Sequence, residues 1–312
     1  MGSRLGVSYD AGSSLGSSIE RATLAEHLGY DSLWASQLPP ARETPLVLAT
    51  YAAATSKIGL GTAVMPIYTR HPTAMAQMAL TLDEIAGGRF RLGIGVSHQV
   101  TVESMWGLRL VHPVEAMREY AGIVRSLITT GSASAVGEHF SAHTSYTGPR
   151  REDLPILISA LSPRMLELAG EIADGVSLWM CAPDYIRDVV IPTVRKGREK
   201  AGKSMDGFEI EAAVPVCLTS DREAGLAVFR KTAERYGSLP FYRKVLDKTF
   251  PDMSDSPNDT ILGTLAGIGD VGEVRATVDR YRDAGATLPV VGPFAGHEGA
   301  AGFQGTLEAL AA

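Results

Sequence analysis

His98 and Ser162 lead a small group of residues that could do chemistry, because each follows directly on a short apolar run. Val96, Ser97 and His98 close the run ending in Gly93-Ile94-Gly95, and an imidazole there can donate a proton or hydrogen-bond a substrate oxygen. A purely structural histidine is the alternative. The Gly93 and Gly95 pattern lacks what a dinucleotide loop requires: a helix opening at once behind it and an acidic residue about 20 positions on. A long loop is expected there instead, and the glycines either serve the strand itself or let a flat ligand approach the backbone. In Ser159-Ala160-Leu161-Ser162-Pro163-Arg164, Ser162 reads as an N-cap with proline at the first helical position. The free amides of such a turn either hold a phosphate, helped by Arg164, or merely begin an ordinary capped helix. Asp10 reads as a base or as a helix cap. His71, before Pro72, reads as a structural or cap residue. His139 and His143 have no third partner in view, so no metal site is expected. No Gly-x-Ser-x-Gly elbow, P-loop or His-Glu-x-x-His run occurs. A chain so poor in acid–base groups suits an enzyme whose hard chemistry is carried by a cofactor.

These positions need a scaffold, and the apolar pattern supplies one. Strands are read at 4–8, 31–35, 57–65, 89–94, 154–159, 175–179, 209–219 and 287–291. Helices are read at 17–28, 45–55, 71–86, 114–129, 163–172, 185–201, 222–236 and 302–311, with Gly29 and Gly87-Gly88 as stop signals. Near-continuous apolar strands belong to a parallel sheet buried on both faces. Eight strand–helix units predict a single-domain (β/α)8 TIM barrel over 1–312, with a doubly wound open sheet as the competing arrangement. Two stretches exceed ordinary loop length and read as insertions after strands four and seven: 131–153, with a hairpin expected around 138–146, and 238–270. In such a barrel the chemistry lies at the C-terminal ends of the strands, which selects Tyr9, Asp10, Ser36, Gln37, 63–68, 96–99, 160–163, Met180 and Cys181.

The bulk properties narrow the partners. The chain has 312 residues, is 45% hydrophobic and carries a net charge of −6 with no block of Lys or Arg. That balance argues against nucleic acid or an anionic membrane as partner. No apolar run approaches the ~20 residues of a membrane span, and Met1-Gly2-Ser3 opens no signal peptide. Cys181 and Cys217 form neither a disulfide framework nor a metal-ligand spacing, which fits a cytoplasmic protein. The expected partner is a small-molecule substrate.

One long stretch narrows the reading further. Residues 58–72 read IGLGTAVMPIYTRHP and are followed by Gln77, Leu80-Thr81-Leu82-Asp83 and Gly87-Gly88-Arg89-Phe90. They closely resemble the bacterial luciferase-like superfamily, and within it the branch of oxidoreductases that use the deazaflavin coenzyme F420. The resemblance runs on through 93–98, Met105-Trp106-Gly107-Leu108, Met117-Arg118-Glu119-Tyr120, 159–174 and Leu239-Pro240-Phe241-Tyr242-Arg243 with Leu246-Asp247, so it covers most of the chain. It implies a homodimer of barrels with the cofactor ring against the ends of strands three and four. It also implies a non-proline cis peptide at Ala63–Val64, pressed against the back of that ring, and a phosphate seat at Leu161 and Ser162. The cofactor-binding residues are then Ser36, Ala63, Val64, Val96, Ser97, Ala160, Leu161 and Ser162.

The departures from the family pattern point to the reaction. Deazaflavin sugar-phosphate dehydrogenases carry Asp-His after strand two and Glu after strand four, where this chain has Gln37-Leu38 and His98. Without that acid–base pair, the resemblance implies reduction of a C=C or C=N bond by F420H2. His98 is then the proton donor or orienting group, and Gln37 is the second catalytic candidate. Tyr9, Asp10, Met65, Tyr68, Trp106, Trp179, Phe241 and Tyr242 are the candidate substrate-binding residues, although core packing would explain many of them equally. Two alternatives stand beside this reading. One is an FMN-dependent monooxygenase on the same barrel; the other is a flavin-binding relative without catalysis.

Overall fold

A computed structural model describes residues 4–9 and 14–311; Asp10 lies outside them. In chain order the elements are β1 (Gly6–Ser8), α1 (Leu15–His27), β2 (Ser32–Ala35), α2 (Thr44–Ala54), β3 (Gly59–Thr62), β4 (Met65–Pro66), α3 (Pro72–Ile85) and β5 (Phe90–Gly95). A wide helical turn at Val100–Met105 leads to α4 (Pro113–Thr130), then β6 (Ser132–Ala135), β7 (Ala142–Ser145), β8 (Ile156–Ser159), α5 (Pro163–Ile172) and β9 (Gly175–Leu178). The next helix is composite: α6 (Pro183–Tyr185), a wide turn at Ile186–Val190 and α7 (Ile191–Lys200). The chain ends with β10 (Glu209–Leu218), α8 (Arg222–Gly237), α9 (Pro240–Thr249), α10 (Asp259–Leu265), β11 (Gly267–Gly269), α11 (Val271–Asp283), β12 (Leu288–Pro293) and α12 (Phe303–Ala311).

Among the described residues, β1, β2, β3, β5, β8, β9, β10 and β12 pair in parallel in that order, and β12 returns to β1. The sheet is therefore closed, as the strand–helix alternation predicts, and the open-sheet alternative falls away. Alternate residues fill the interior. Trp34, Leu157, Leu288 and Val290 form an inner cluster with Ala63 packed on it. The Trp34 indole lies on Gly61, where an added Cβ would fall 2.3 Å from its ring, and Nε1 donates to Ser32 Oγ at 3.0 Å. The N-terminal end of the barrel is closed by ion pairs of Arg4 and Arg91 with Asp31 and Glu209.

The run read as one strand over 57–65 is two strands joined by a bulge. Gly61 pairs with Arg91, and Met65 pairs with Ile94, so four steps on one strand face three on the other. The extra residue is absorbed around Thr62, whose hydroxyl both donates to the Gly93 carbonyl and accepts from the Gly93 amide, each at 2.8 Å. The peptide bond Ala63–Val64 is cis. Gly93 and Gly95 make room for this bulge: a Cβ on Gly93 would lie 1.9 Å from the Thr62 carbonyl oxygen, and one on Gly95 would lie 2.6 Å from Val64 Cγ2. Their bareness is thus taken up by the neighbouring strand, which decides between the two readings of the pattern in favour of the strand.

Other boundaries also shift. The expected loop after Gly95 opens with the Val100–Met105 turn, closed by a bond from the Trp106 amide to the Thr101 carbonyl. The first insertion is a hairpin, but its strands are 132–135 and 142–145, with Glu138 in the connecting turn. The second insertion holds α9, α10 and a short strand, β11, which extends the sheet beside the C-terminal half of β10. The apolar pattern assigns no element to the stretch that forms α11. Asp270 and Glu273 cap this helix reciprocally, and Val274, Thr277, Val278 and Tyr281 form its buried face.

Candidate active site

The C-terminal ends of β5 and β9 are both tightly turned. Ser97 (φ 61°) and Met180 (φ 51°) adopt the left-handed conformation, although neither is glycine. Such positions persist only where the surroundings over-determine them, and they concentrate at ligand sites. Between them lies an aromatic wall. The His98 ring is 5.4 Å from Tyr242 and 6.3 Å from Tyr236; Tyr236 in turn is 5.0 Å from Tyr242 and 5.5 Å from Trp179. Phe241, largely exposed, packs edge-on against Tyr242 at 5.6 Å. These contacts follow from the second insertion: α8 ends at Gly237, Leu239 caps α9, and the corner carries Tyr236 and Tyr242 onto the ends of strands four and six of the barrel. The structure thereby unites His98, Trp179, Phe241 and Tyr242, all expected, with Tyr236, which sequence reasoning missed. Its signal was its place in the last turn of the helix before Leu239-Pro240-Phe241-Tyr242.

Electrostatics give these groups distinct characters. Burial, and then the positive charge of Arg235, hold the His98 imidazole below its ordinary pKa, so it is neutral at pH 7. Arg235 itself stacks over the Tyr236 ring at 5.0 Å. Burial pushes the Tyr242 phenol up, so it stays protonated. The Trp179 indole Nε1 is buried and has no partner among the described residues. An indole N–H can only donate, so this one is available to an acceptor on a ligand.

The expected cofactor residues lie around the same strand ends. Ala63 and Val64 form the cis bulge, half-buried, and Val96 and Ser97 are half-buried beyond β5. Ser162 caps α5 by accepting from the Met165 amide at 3.4 Å, with Pro163 behind it. Ala160 and Leu161 are buried, and the Leu161 carbonyl accepts from the Tyr185 hydroxyl at 2.8 Å. Arg164, offered as a helper for phosphate, is exposed and paired with Glu115 at 2.8 Å. His71 caps α3 through Nδ1, accepting from the Thr73 amide.

Several candidates have other work. The side-chain carbonyl of Gln37 accepts from the Thr44 amide at 2.8 Å, and the Ser36 carbonyl accepts from the Thr44 hydroxyl at 2.9 Å. Gln37 thus caps α2 with its side-chain oxygen, where the helix's own N-cap Glu43 supplies no side-chain bond. Tyr9 is buried, with its ring 4.8 Å from that of Phe303 and 4.6 Å from the Arg21 guanidinium. Met65 is a fully buried core side chain. Trp106 ends the 100–105 turn and makes no ring contact among the described residues. Tyr68 lines a cavity together with Leu108, Arg109 and His139. Among the described residues, no group of three or more His, Cys, Asp or Glu could hold a metal ion, and no helix is long and apolar enough to cross a membrane.

Comparison with known proteins agrees with this architecture. A Mycobacterium tuberculosis protein named for coenzyme F420-dependent oxidoreductase activity is 29% identical, with 87% of this chain and 89% of that one covered. The 5,10-methylenetetrahydromethanopterin reductase of Archaeoglobus fulgidus is 34% identical over 64% of this chain and 60% of its own. Among solved structures, the coenzyme F420-dependent tetrahydromethanopterin reductase of Methanopyrus kandleri superposes with a TM-score of 0.82 at 22% identity, covering 99% of this chain and 97% of its own. Residues 1–288 match the family described as luciferase-like monooxygenase, and the chain belongs to that family.

Proposed function

We propose that this chain is a coenzyme F420-dependent oxidoreductase, and specifically a reductase that delivers hydride to a C=C or C=N bond of a small organic substrate. The relatives named above support the coenzyme. The observation that carries the direction of reaction is the composition of the aromatic wall: one neutral imidazole and one orphan indole donor, with no carboxylate partner for His98 among the described residues. Oxidising an alcohol needs a base to take the hydroxyl proton. Polarising an unsaturated bond needs hydrogen-bond donors, and those are what this wall presents.

The residues present fit a flat cofactor with a phosphate. The Ala63–Val64 bulge with Val96 and Ser97 offers a half-buried platform, and in the first turn of α5 the Arg164 amide makes no hydrogen bond among the described residues and is left for an anion. When bound, the coenzyme would supply the hydride. His98 and Trp179 orient the substrate, Tyr236 and Tyr242 exclude water from it, and Gln37 holds α2 and the end of β2 in place. An FMN-dependent monooxygenase is the second reading, favoured by the family's own description. A homodimer belongs to the same proposal: Leu46 on α2 and Ile85 on α3 are apolar and 70% and 47% exposed, and light scattering on a sizing column should return twice the chain mass.

Fluorescence titration of the purified protein with coenzyme F420 and, separately, with FMN tests the assignment. Selective binding of the deazaflavin supports the reductase. Selective FMN binding, with oxygen consumed when reduced FMN is supplied, would replace it with the monooxygenase.

A further inference from the structure

A cavity of about 310 Å³ opens between Tyr68, the 108–111 segment and the tip of the β6–β7 hairpin. Its polar groups are unfinished. Among the described residues, Tyr68 Oη and His139 Nε2 are both buried with no partner, and both residues line the cavity. A buried polar atom without a partner forfeits its hydration and gains nothing in exchange, so two on one small cavity call for a ligand. Arg109, exposed on the rim, makes no hydrogen bond or ion pair among the described residues.

The wall around them is built rather than loose. The Glu119 carboxylate accepts from three successive amides, Glu138 (3.0 Å), His139 (2.8 Å) and Phe140 (2.8 Å). A Cβ on Gly137 would fall 2.5 Å from that carboxylate, so the turn closes only over glycine. Tyr120 packs edge-on against Phe140 at 5.0 Å, and the His112 ring lies 5.9 Å from that of His139, held by a left-handed backbone (φ 46°). Of the two acidic side chains near the cavity, Glu119 is saturated by the turn, and Glu138 is exposed to water.

The geometry points to a carboxylate subsite: a ligand carboxylate pairing with the Arg109 guanidinium and accepting from Tyr68 Oη and His139 Nε2. Burial keeps the Tyr68 phenol protonated, hence a donor. Two sources share this chemistry, the carboxylates on the side chain of a deazaflavin coenzyme and a carboxylate of the substrate. The first rests on the function proposed above; the site itself does not.

The His139 ring resonances, assigned with His139→Gln, report on the site by NMR. Titration of the full chain with glutarate should give a saturable shift, and Arg109→Ala should weaken it at least about tenfold, as loss of a charge-assisted bond requires. Arg109→Lys should recover part of it. Arg109 is exposed, so the variants should fold as the parent does. If coenzyme F420 moves the same resonances and its chromophore without the anionic side chain does not, the carboxylate is the coenzyme's. If only the free dicarboxylate acts while both coenzyme forms bind, it is the substrate's. No saturable shift with any of these probes, or a shift unchanged in Arg109→Ala, overturns the subsite. Glutarate binding without any binding of the coenzyme would instead overturn the proposed function and leave the subsite standing.

Discussion

His98 packs among aromatic rings near Arg235, and its burial, followed by the charge of Arg235, keeps the imidazole neutral. A neutral ring holds and polarises a substrate atom; it is a poor source of protons at pH 7. His98→Ala should therefore lower kcat by roughly tenfold or more while coenzyme affinity stays within a few fold. Unchanged turnover would remove His98 from the mechanism. The pH dependence follows with its sign. His98 becomes charged only as pH falls below its lowered pKa, so activity that needs the neutral ring is flat above pH 7 and lost on the acid side. Arg235→Gln removes the repulsion, raises the His98 pKa, and should move that acid limb upward; a limb that stays put assigns it to another group. Trp179 makes an opposite-signed test. Trp179→Phe deletes a buried, unpartnered donor. If the indole serves only packing, stability rises and KM is unchanged; if it serves the substrate, KM rises about five- to tenfold.

At the scale of elements, the bulge between β3 and β4 and the glycines of β5 form one device. Gly93→Ala places a Cβ 1.9 Å from the Thr62 carbonyl oxygen, backbone against side chain, with no flexible group to yield. It should cost at least ~3 kcal/mol, read as a fall in the denaturation midpoint at constant m. Thr62→Val, which removes both bonds to Gly93, should cost less, about 1–3 kcal/mol. Equal, small losses would mean that the bulge relaxes freely. The same region shows what a linear pattern can and cannot reveal. Barrel topology is legible because each strand and helix carries its own period, and the caps at His71 and Ser162 are legible because capping is local chemistry. The break at Thr62 leaves no period behind, since both halves are apolar and the cis bond lies between ordinary residues. The capping box at Asp270 and Glu273 is local chemistry too, but the Asp, Ser and Pro-rich stretch before it masks the signal. Side-chain placement at a strand end is a three-dimensional fact: Tyr9 and Met65 are buried in the core, while Trp179 and His98 meet in the aromatic wall, and composition treats them alike. Tyr236 joins them only because α8 and α9 meet at a corner.

For the whole molecule, the barrel's ionisable groups divide into compensated and uncompensated. At the N-terminal end, Arg4 and Arg91 face Asp31 and Glu209, so each charge has a counter-charge. One layer further in, on β10 opposite Ser177 of β9, Glu211 has no cation beside it among the described residues. It is fully buried, bonds Ser177 with one oxygen and leaves Oε2 without a partner. Burial, reinforced by the charge of Glu209 and only partly offset by the Ser177 bond, pushes its pKa from 4.5 to about 8. The folded protein thus holds a neutral carboxylic acid at pH 7, whereas the unfolded chain would ionise it. Linkage gives the consequence. Below pH 4.5 both states are protonated and the titration of Glu211 takes nothing from stability. As pH rises from 4.5 the unfolded state gains by ionising, stability falls, and the loss is complete once pH passes about 8. A tenfold change in an ionisation constant is worth about 1.4 kcal/mol, so the loss is on the order of a few kcal/mol. Glu211→Gln keeps the shape and removes the titration, so its advantage over the parent should be near zero below pH 4.5 and grow to its full value by about pH 8. Paired denaturation curves across that range measure the difference directly and cancel the titration of every other carboxylate. A difference flat with pH would mean that Glu211 is ionised in the folded barrel, paired through its second oxygen with a buried water or ion.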